Sequence, residues 1–309
     1  MANRKEFHFP SSDGKTQIHA VEWTPEGEAK GVYQIAHGVA EYALRYEPFA
    51  EFLTGKGFVV VANDHIGHGE SVAPGAPALY FGDKDGWTHV VDDMYALRNL
   101  TAQKYPDLPY FLMGHSMGSF LTRTYLIRYP GTVKAAIVMG TGQQPGFMLA
   151  GGKLAANFFG KKTGFDKFNA SVDNLAFGAY NKPFEPKRTN YDWLSANTEN
   201  VDRYIADPLC GGQTTTGLFR DMLGGIGFIE KGANLEKMDK DTPVLFISGA
   251  MDPVGDLGKG TTKAYESFRK AGVKDVTLKL YPGLRHEILN EKEKDQVYAD
   301  IWAWVEKHM

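Results

Sequence analysis

The sequence predicts an α/β protein: a mostly parallel sheet flanked by helices, with a mainly helical segment inserted before one of its last strands. Three observations predict it. Short apolar, β-branched runs alternate with stretches of helical periodicity up to about residue 141, the rhythm of parallel strands covered on both faces. That rhythm stops between 142 and 238, where Gly, Asn, Lys and aromatic residues replace strand runs, and it resumes at Thr242. One strand, over 110–113, breaks into Gly114-His115-Ser116-Met117-Gly118 and then into the helically spaced Phe120, Leu121, Thr124 and Tyr125. A serine therefore sits at a strand-to-helix corner.

In chain order, residues 6–9 and 17–23 read as two strands around the turn Ser12-Asp13-Gly14-Lys15. Alternation at Ile18, Ala20 and Glu22 predicts an antiparallel edge hairpin with one solvated face. Residues 31–37 read as a buried strand, 42–53 as a helix ending at Gly55 and Gly57, and 58–62 (FVVVA) as a second buried strand. Trp87, Val90, Val91, Met94, Leu97 and Leu100 recur at three- and four-residue steps, an amphipathic helix. A strand over 135–139 precedes the break. Within the break, 147–159 and 191–205 carry helical patches. Strands over 243–248 and 276–280 and helices over 260–271 and 295–307 complete the chain. The core is thus 1–141 with 239–309, and 142–238 is an inserted helical cap over the carboxyl ends of the strands.

Bulk properties narrow the function. A formal net charge of −3 with scattered Lys and Arg argues against a nucleic-acid surface. A single cysteine, Cys210, excludes an internal disulfide and fits a reducing compartment, with a small buried thiol as its reading. The start MANRKEFHFPSSDG has no apolar segment behind its charges, and no stretch approaches the roughly 18–20 apolar residues of a spanning helix. A cytoplasmic protein is expected.

A serine hydroxyl becomes a nucleophile only when a base removes its proton, and the base needs a third group to fix its tautomer. In such sheets, sites lie at the carboxyl ends of strands. Asp252 follows the strand over 243–248, and His286 follows the next strand in Tyr281-Pro282-Gly283-Leu284-Arg285-His286. The order Ser116, Asp252, His286 is that of an α/β-hydrolase. Asp256, four positions deeper in a Gly-rich loop, is the weaker choice of acid. An oxyanion needs two preset N–H donors. The expected ones are the backbone groups of Met117, next to the serine, and of Val39, in the turn after the strand over 31–37.

His37-Gly38, Asp64-His65-Ile66-Gly67-His68-Gly69-Glu70-Ser71, the serine corner and Gly283-Leu284-Arg285-His286-Glu287 together resemble the monoglyceride lipase and lysophospholipase-like branch of the α/β-hydrolases. The resemblance spans residues 21–139 and 242–309. It implies a serine esterase acting on acylglycerol-like esters, with an apolar tunnel under the cap. The mechanism needs no cofactor and no metal. Two departures stand out: Ser119 replaces a glycine that usually follows GHSMG, and Val39-Ala40-Glu41-Tyr42 stands where these lipases tend to read AGEH. The second bears on the acyl or alcohol preference. An arylesterase, a thioesterase or an acyltransferase would share this machinery, whereas epoxide hydrolases and dehalogenases carry a carboxylate at the corner. A catalytically silent binding protein is the reading from another class.

The remaining histidines read as structural. Asp64, His65 and His68 lack a further convergent ligand cluster and are expected to brace a loop. His37 should brace a strand end, His115 should pack under the corner, and His89 should lie on a helix face. Phe147-Met148-Leu149-Ala150 and Phe158-Phe159, beside Lys161 and Lys162, read as cap core, with an acyl site or transient membrane-surface contact as the sharper alternative.

Overall fold

Five near-continuous apolar runs become the buried centre of the sheet, because strands covered on both faces leave no side for polar residues. In the computed structural model, which describes residues 3–309, these are β3 (Gly31–Ala36), β4 (Phe58–Asn63), β5 (Tyr110–His115), β6 (Ala135–Met139) and β7 (Val244–Gly249). With β1 (Asn3–Pro10), β2 (Gln17–Thr24) and β8 (Val276–Tyr281) they form one eight-stranded sheet in the order β1-β2-β4-β3-β5-β6-β7-β8. β1 pairs with β2, and β2 with β4, antiparallel; every pairing from β4–β3 to β7–β8 is parallel. Successive side chains part to opposite faces. Val59 and Val61 of β4 pack with Val32 and Leu112, while Val60 and Ala62 pack with Tyr33, Ile35 and Met113.

The hairpin forms the expected antiparallel edge, but only β1 is solvated. β2 is buried from Ile18 to Trp23, because it lies between two strands with cover on both faces. Its Glu22 pairs with Lys104 at 2.5 Å.

Two helical layers flank the sheet. α1 (Glu47–Gly55) and α10 (Lys294–Lys307) set Phe49, Leu53, Val297 and Ile301 against one face. α2 (Gly86–Lys104), α3 (Met117–Arg128) and α9 (Lys259–Lys270) set Val90, Met94, Leu121, Tyr125 and Phe268 against the other. The helix expected over 42–53 is split: a 3₁₀ turn, Ala43–Tyr46, precedes α1. Pro48 sits in the first turn of α1, where its missing N–H has no intrahelical partner to lose.

Between β6 and β7 lie α4 (Gly146–Thr163), α5 (Ala170–Phe177), 3₁₀ turns at Lys182–Phe184 and Asp192–Leu194, then α6 (Thr198–Ala206), α7 (Thr216–Ile229) and α8 (Gly232–Leu235). The patch expected over 191–205 is the second 3₁₀ turn followed by α6. Asn169 caps α5 by accepting the N–H groups of Ser171 and Val172. Among the described residues, no helix is long and apolar enough to cross a membrane.

Candidate active site

β5 ends at His115 and α3 begins at Met117, so the whole change of direction falls on Ser116, at φ 54°, ψ −120°. A non-glycine residue rarely takes a positive φ, and its neighbours permit it here. A Cβ on Gly114 would lie 2.0 Å from the Gly118 carbonyl oxygen, and one on Gly118 would lie 2.0 Å from that of Ala36. The Ser116 N–H donates to Met139 at 3.0 Å, and the Ser119 hydroxyl donates to the Ser116 carbonyl at 2.5 Å. Ser119, the departure from glycine, thus fastens the corner.

Asp252 follows β7 and is fully buried. Its Oδ2 lies 2.9 Å from His286 Nδ1 and accepts the Ser248 hydroxyl at 3.0 Å, while Oδ1 accepts the Val254 N–H at 2.9 Å. Two further donors therefore orient the carboxylate that holds the imidazole. Asp256 lies exposed in the following turn. His286 is also buried, between the rings of His115 at 4.6 Å and Trp193 at 5.1 Å. Ser116, His286 and Val39 line one cavity of about 500 Å³.

The turn after β3 comes up against the serine: a Cβ on Gly38 would lie 3.0 Å from Ser116 Cβ. The Val39 N–H makes no hydrogen bond among the described residues. The Met117 N–H, first in α3, has no intrahelical acceptor. Both expected oxyanion donors are unclaimed.

Behind this turn lies a buried polar network that the sequence reading missed. Glu41 Oε1 accepts the Gly38 N–H at 2.6 Å and the Tyr46 hydroxyl at 2.8 Å, and it faces His115 Nδ1 at 3.3 Å. Arg45 donates to Glu41 Oε2 and, in a two-pronged pair at 2.8 and 2.9 Å, to Glu287, the neighbour of His286. Asn200 of α6 completes Glu287 at 2.6 Å. Burial by itself would raise the pKa of Glu41, but Arg45 and His115 hold it well below the carboxylate range. Glu287 follows the same pattern: burial pushes it up and Arg45 more than reverses it. His115 is pushed down by burial and raised overall by Glu41. The only advance signal was the Glu41–Arg45 spacing of one helical turn, which does not reveal that both side chains point inward.

The other histidines take structural positions. His37 Nδ1 lies 2.7 Å from the Gly38 carbonyl, and its Nε2 accepts the His65 N–H at 2.9 Å, which ties the end of β3 to the loop after β4. Asp64 accepts the N–H groups of Ala43 and Glu70 and pairs with His19 Nδ1 at 2.9 Å. It is therefore used as a brace. Glu6, His19 and Glu70 have ligand-type atoms within 4.8 Å of one another, and none of them lines the cavity. Cys210 packs with Leu194 and Tyr204, and burial pushes its thiol well above the ordinary range. None of Phe147, Met148, Leu149, Ala150, Phe158 and Phe159 lines the cavity.

Known proteins share this architecture. Residues 27–293 match the family described as serine aminopeptidase, S33. A monoacylglycerol lipase of Mycolicibacterium smegmatis is 30% identical across all of this chain and 99% of its own length. The human monoglyceride lipase is 28% identical over 96% of this chain and 89% of its own. Among solved structures, a thermostable carboxyl esterase from Bacillus coagulans in complex with glycerol superposes with a TM-score of 0.91, at 29% identity, covering 98% of each chain. With a family match over most of its length and a relative aligned from end to end, this chain belongs to the serine aminopeptidase S33 family of α/β-hydrolases.

Proposed function

We propose that the protein is a serine carboxylic ester hydrolase that works through an acyl-enzyme on Ser116. The observation that carries this reading is the buried Asp252–His286 hydrogen bond at the edge of the cavity that also holds the elbow serine. Asp252 keeps the proton of the neutral imidazole on Nδ1, which leaves Nε2 as the base. Ser116 Oγ gives its proton to Nε2 as it bonds to the ester carbon. The carbonyl oxygen then takes the negative charge next to the Val39 and Met117 N–H groups, each such donor being worth about 10²–10³ in rate. When the tetrahedral adduct collapses, the C–O bond to the alcohol breaks and imidazolium returns the proton to the leaving oxygen. Water, deprotonated by the same imidazole, then releases the acid. The relatives named monoacylglycerol lipase and carboxyl esterase support esters as the substrate class.

Phe168, Phe177, Trp193 and Gln213, all from the segment between β6 and β7, line the cavity, so that segment serves as its cap. On α4, Phe147, Leu154 and Phe158 are exposed beside Lys161 and Lys162, a row suited to transient contact with an anionic lipid surface. Co-sedimentation with phosphatidylserine vesicles, lost in Phe147→Ser/Phe158→Ser, is the expected result, and no sedimentation removes the contact.

A fluorophosphonate should label the wild type and leave Ser116→Ala unlabelled. Replacing Ser116 or His286 alone should lower kcat by roughly 10⁶, since they act as a unit. A loss below tenfold would falsify their roles.

A further inference from the structure

The family resemblance implies an apolar tunnel, but the cavity above Ser116 is lined by polar side chains as well as by apolar ones such as Phe168, Phe177, Trp193 and Leu194. Asp173, Asn174, Asn190 and Gln213 all line it. The side chains of Asn174, Asn190 and Gln213 make no hydrogen bond among the described residues. Asp173 has one weak partner, the Thr214 hydroxyl at 3.4 Å, and burial raises its carboxyl above the ordinary range. Lys187 lines the cavity too, with no carboxylate within ion-pair distance among the described residues. Small-molecule pockets are ordinarily lined mostly by apolar side chains, with a few polar groups to orient the ligand. Here a carboxylate and three exposed carboxamides with unspent hydrogen-bonding capacity line a space of about 500 Å³.

An alkyl chain laid along these groups would displace water from their cavity-facing side and return no hydrogen bond. Hydroxyl groups reverse that balance, because they donate to Asp173 and both donate to and accept from the carboxamides. The aromatic residues fit the same ligand. Phe177 and Trp193 lie nearly parallel, 14° apart with centroids 6.5 Å apart, and Trp193 adjoins His286. They offer a flat apolar surface for the C–H face of a ring whose rim carries hydroxyls. A sugar or polyol is esterified through one of its own hydroxyls, so the hydroxylated half of the ester is the alcohol half.

We propose that this cavity takes a hydroxylated alcohol of sugar size, bound through Asp173, Asn174, Asn190 and Gln213, and that the substrate is a sugar ester rather than an acylglycerol. The inference rests on the ester hydrolase reading above and specifies its substrate class.

The test compares two acetates with alcohols of similar size, a hexose 6-acetate and cyclohexylmethyl acetate. The wild type should show kcat/KM at least tenfold higher for the hexose ester. In Asp173→Ala the ratio of the two should fall at least tenfold, and Gln213→Ala should move it the same way. In Ser116→Ala, calorimetry should find the hexose acetate bound more tightly than monooleoylglycerol. That arm needs no turnover and leaves Asp173, Asn174, Asn190 and Gln213 in place. Equal kcat/KM for the two acetates, tighter binding of monooleoylglycerol, or an unchanged ratio in folded Asp173→Ala each overturns the proposal. If p-nitrophenyl acetate is hydrolysed without a hexose preference, this inference falls and the hydrolase reading stands. If no ester is hydrolysed and no fluorophosphonate label appears, both fall.

Discussion

Arg45 bridges two carboxylates, Glu41 and Glu287, that would otherwise be buried facing a single neutralising partner or none. Removing one partner of a buried ion pair leaves an uncompensated charge and costs about 3–5 kcal/mol. Arg45→Met should therefore lose stability on that scale in a urea melt. Arg45→Lys should recover only part of it, because an ammonium cannot reproduce the two-pronged bond to Glu287. A midpoint within error of wild type for Arg45→Met would show that the network contributes nothing. Asp93 presents the opposite case. Burial raises its carboxyl to about 6 although Ser11 and Ser12 donate to it. A folded-state pKa above the unfolded one means that the native state holds the proton longer, so this contribution is present at low pH and is lost as pH rises through 6. Relative to wild type, Asp93→Asn should gain roughly 2–3 kcal/mol between pH 4 and pH 8. Parallel pH profiles for the two proteins would refute this assignment.

Among the elements, the elbow could be read from sequence because its requirements are local. A strand, a small-residue corner and a helix follow one another within the run 110–125, and steric crowding within that run dictates the glycines. Gly118→Ala would push a methyl group into the Ala36 carbonyl. Overpacking of this kind costs about 1–3 kcal/mol and should also displace Ser116, lowering kcat more than KM. A variant with wild-type kcat would mean that the corner tolerates a Cβ. α7 could not be read in advance. Four of its residues are glycines, Gly217, Gly224, Gly225 and Gly227, which locally argue against a helix. Their reason lies elsewhere in the chain: a Cβ on Gly225 would meet Trp87 of α2 at 2.1 Å, and one on Gly217 would meet Tyr80 at 2.6 Å. The Glu41 network was hidden for the same cause, since Arg45 and Glu287 are 242 positions apart.

Across the whole molecule, five buried histidines fall into two groups according to whether a carboxylate faces them. His37, His65 and His68 are held below the ordinary imidazole range by burial, His68 at about 3. The unfolded chain takes up those protons first, so this contribution is full above the ordinary histidine pKa and is lost as pH falls. His19 and His115 are raised by Asp64 and Glu41 and act in the opposite direction. In urea melts at pH 7 and pH 5, His68→Asn should lose less stability on acidification than wild type does; an equal or larger loss would contradict a neutral buried His68. The sequence by itself determined the alternation of strands and helices, the elbow, and the placing of Ser116, Asp252 and His286 after strand ends, because each follows from neighbouring residues or from a rule about strand ends. Only the tertiary structure decided which acid meets His286, what secures the turn that carries Val39, and how polar the space above Ser116 is. Those properties arise where residues far apart in the chain are buried together, and there the free energy depends on which partner each polar group finds once water has been excluded.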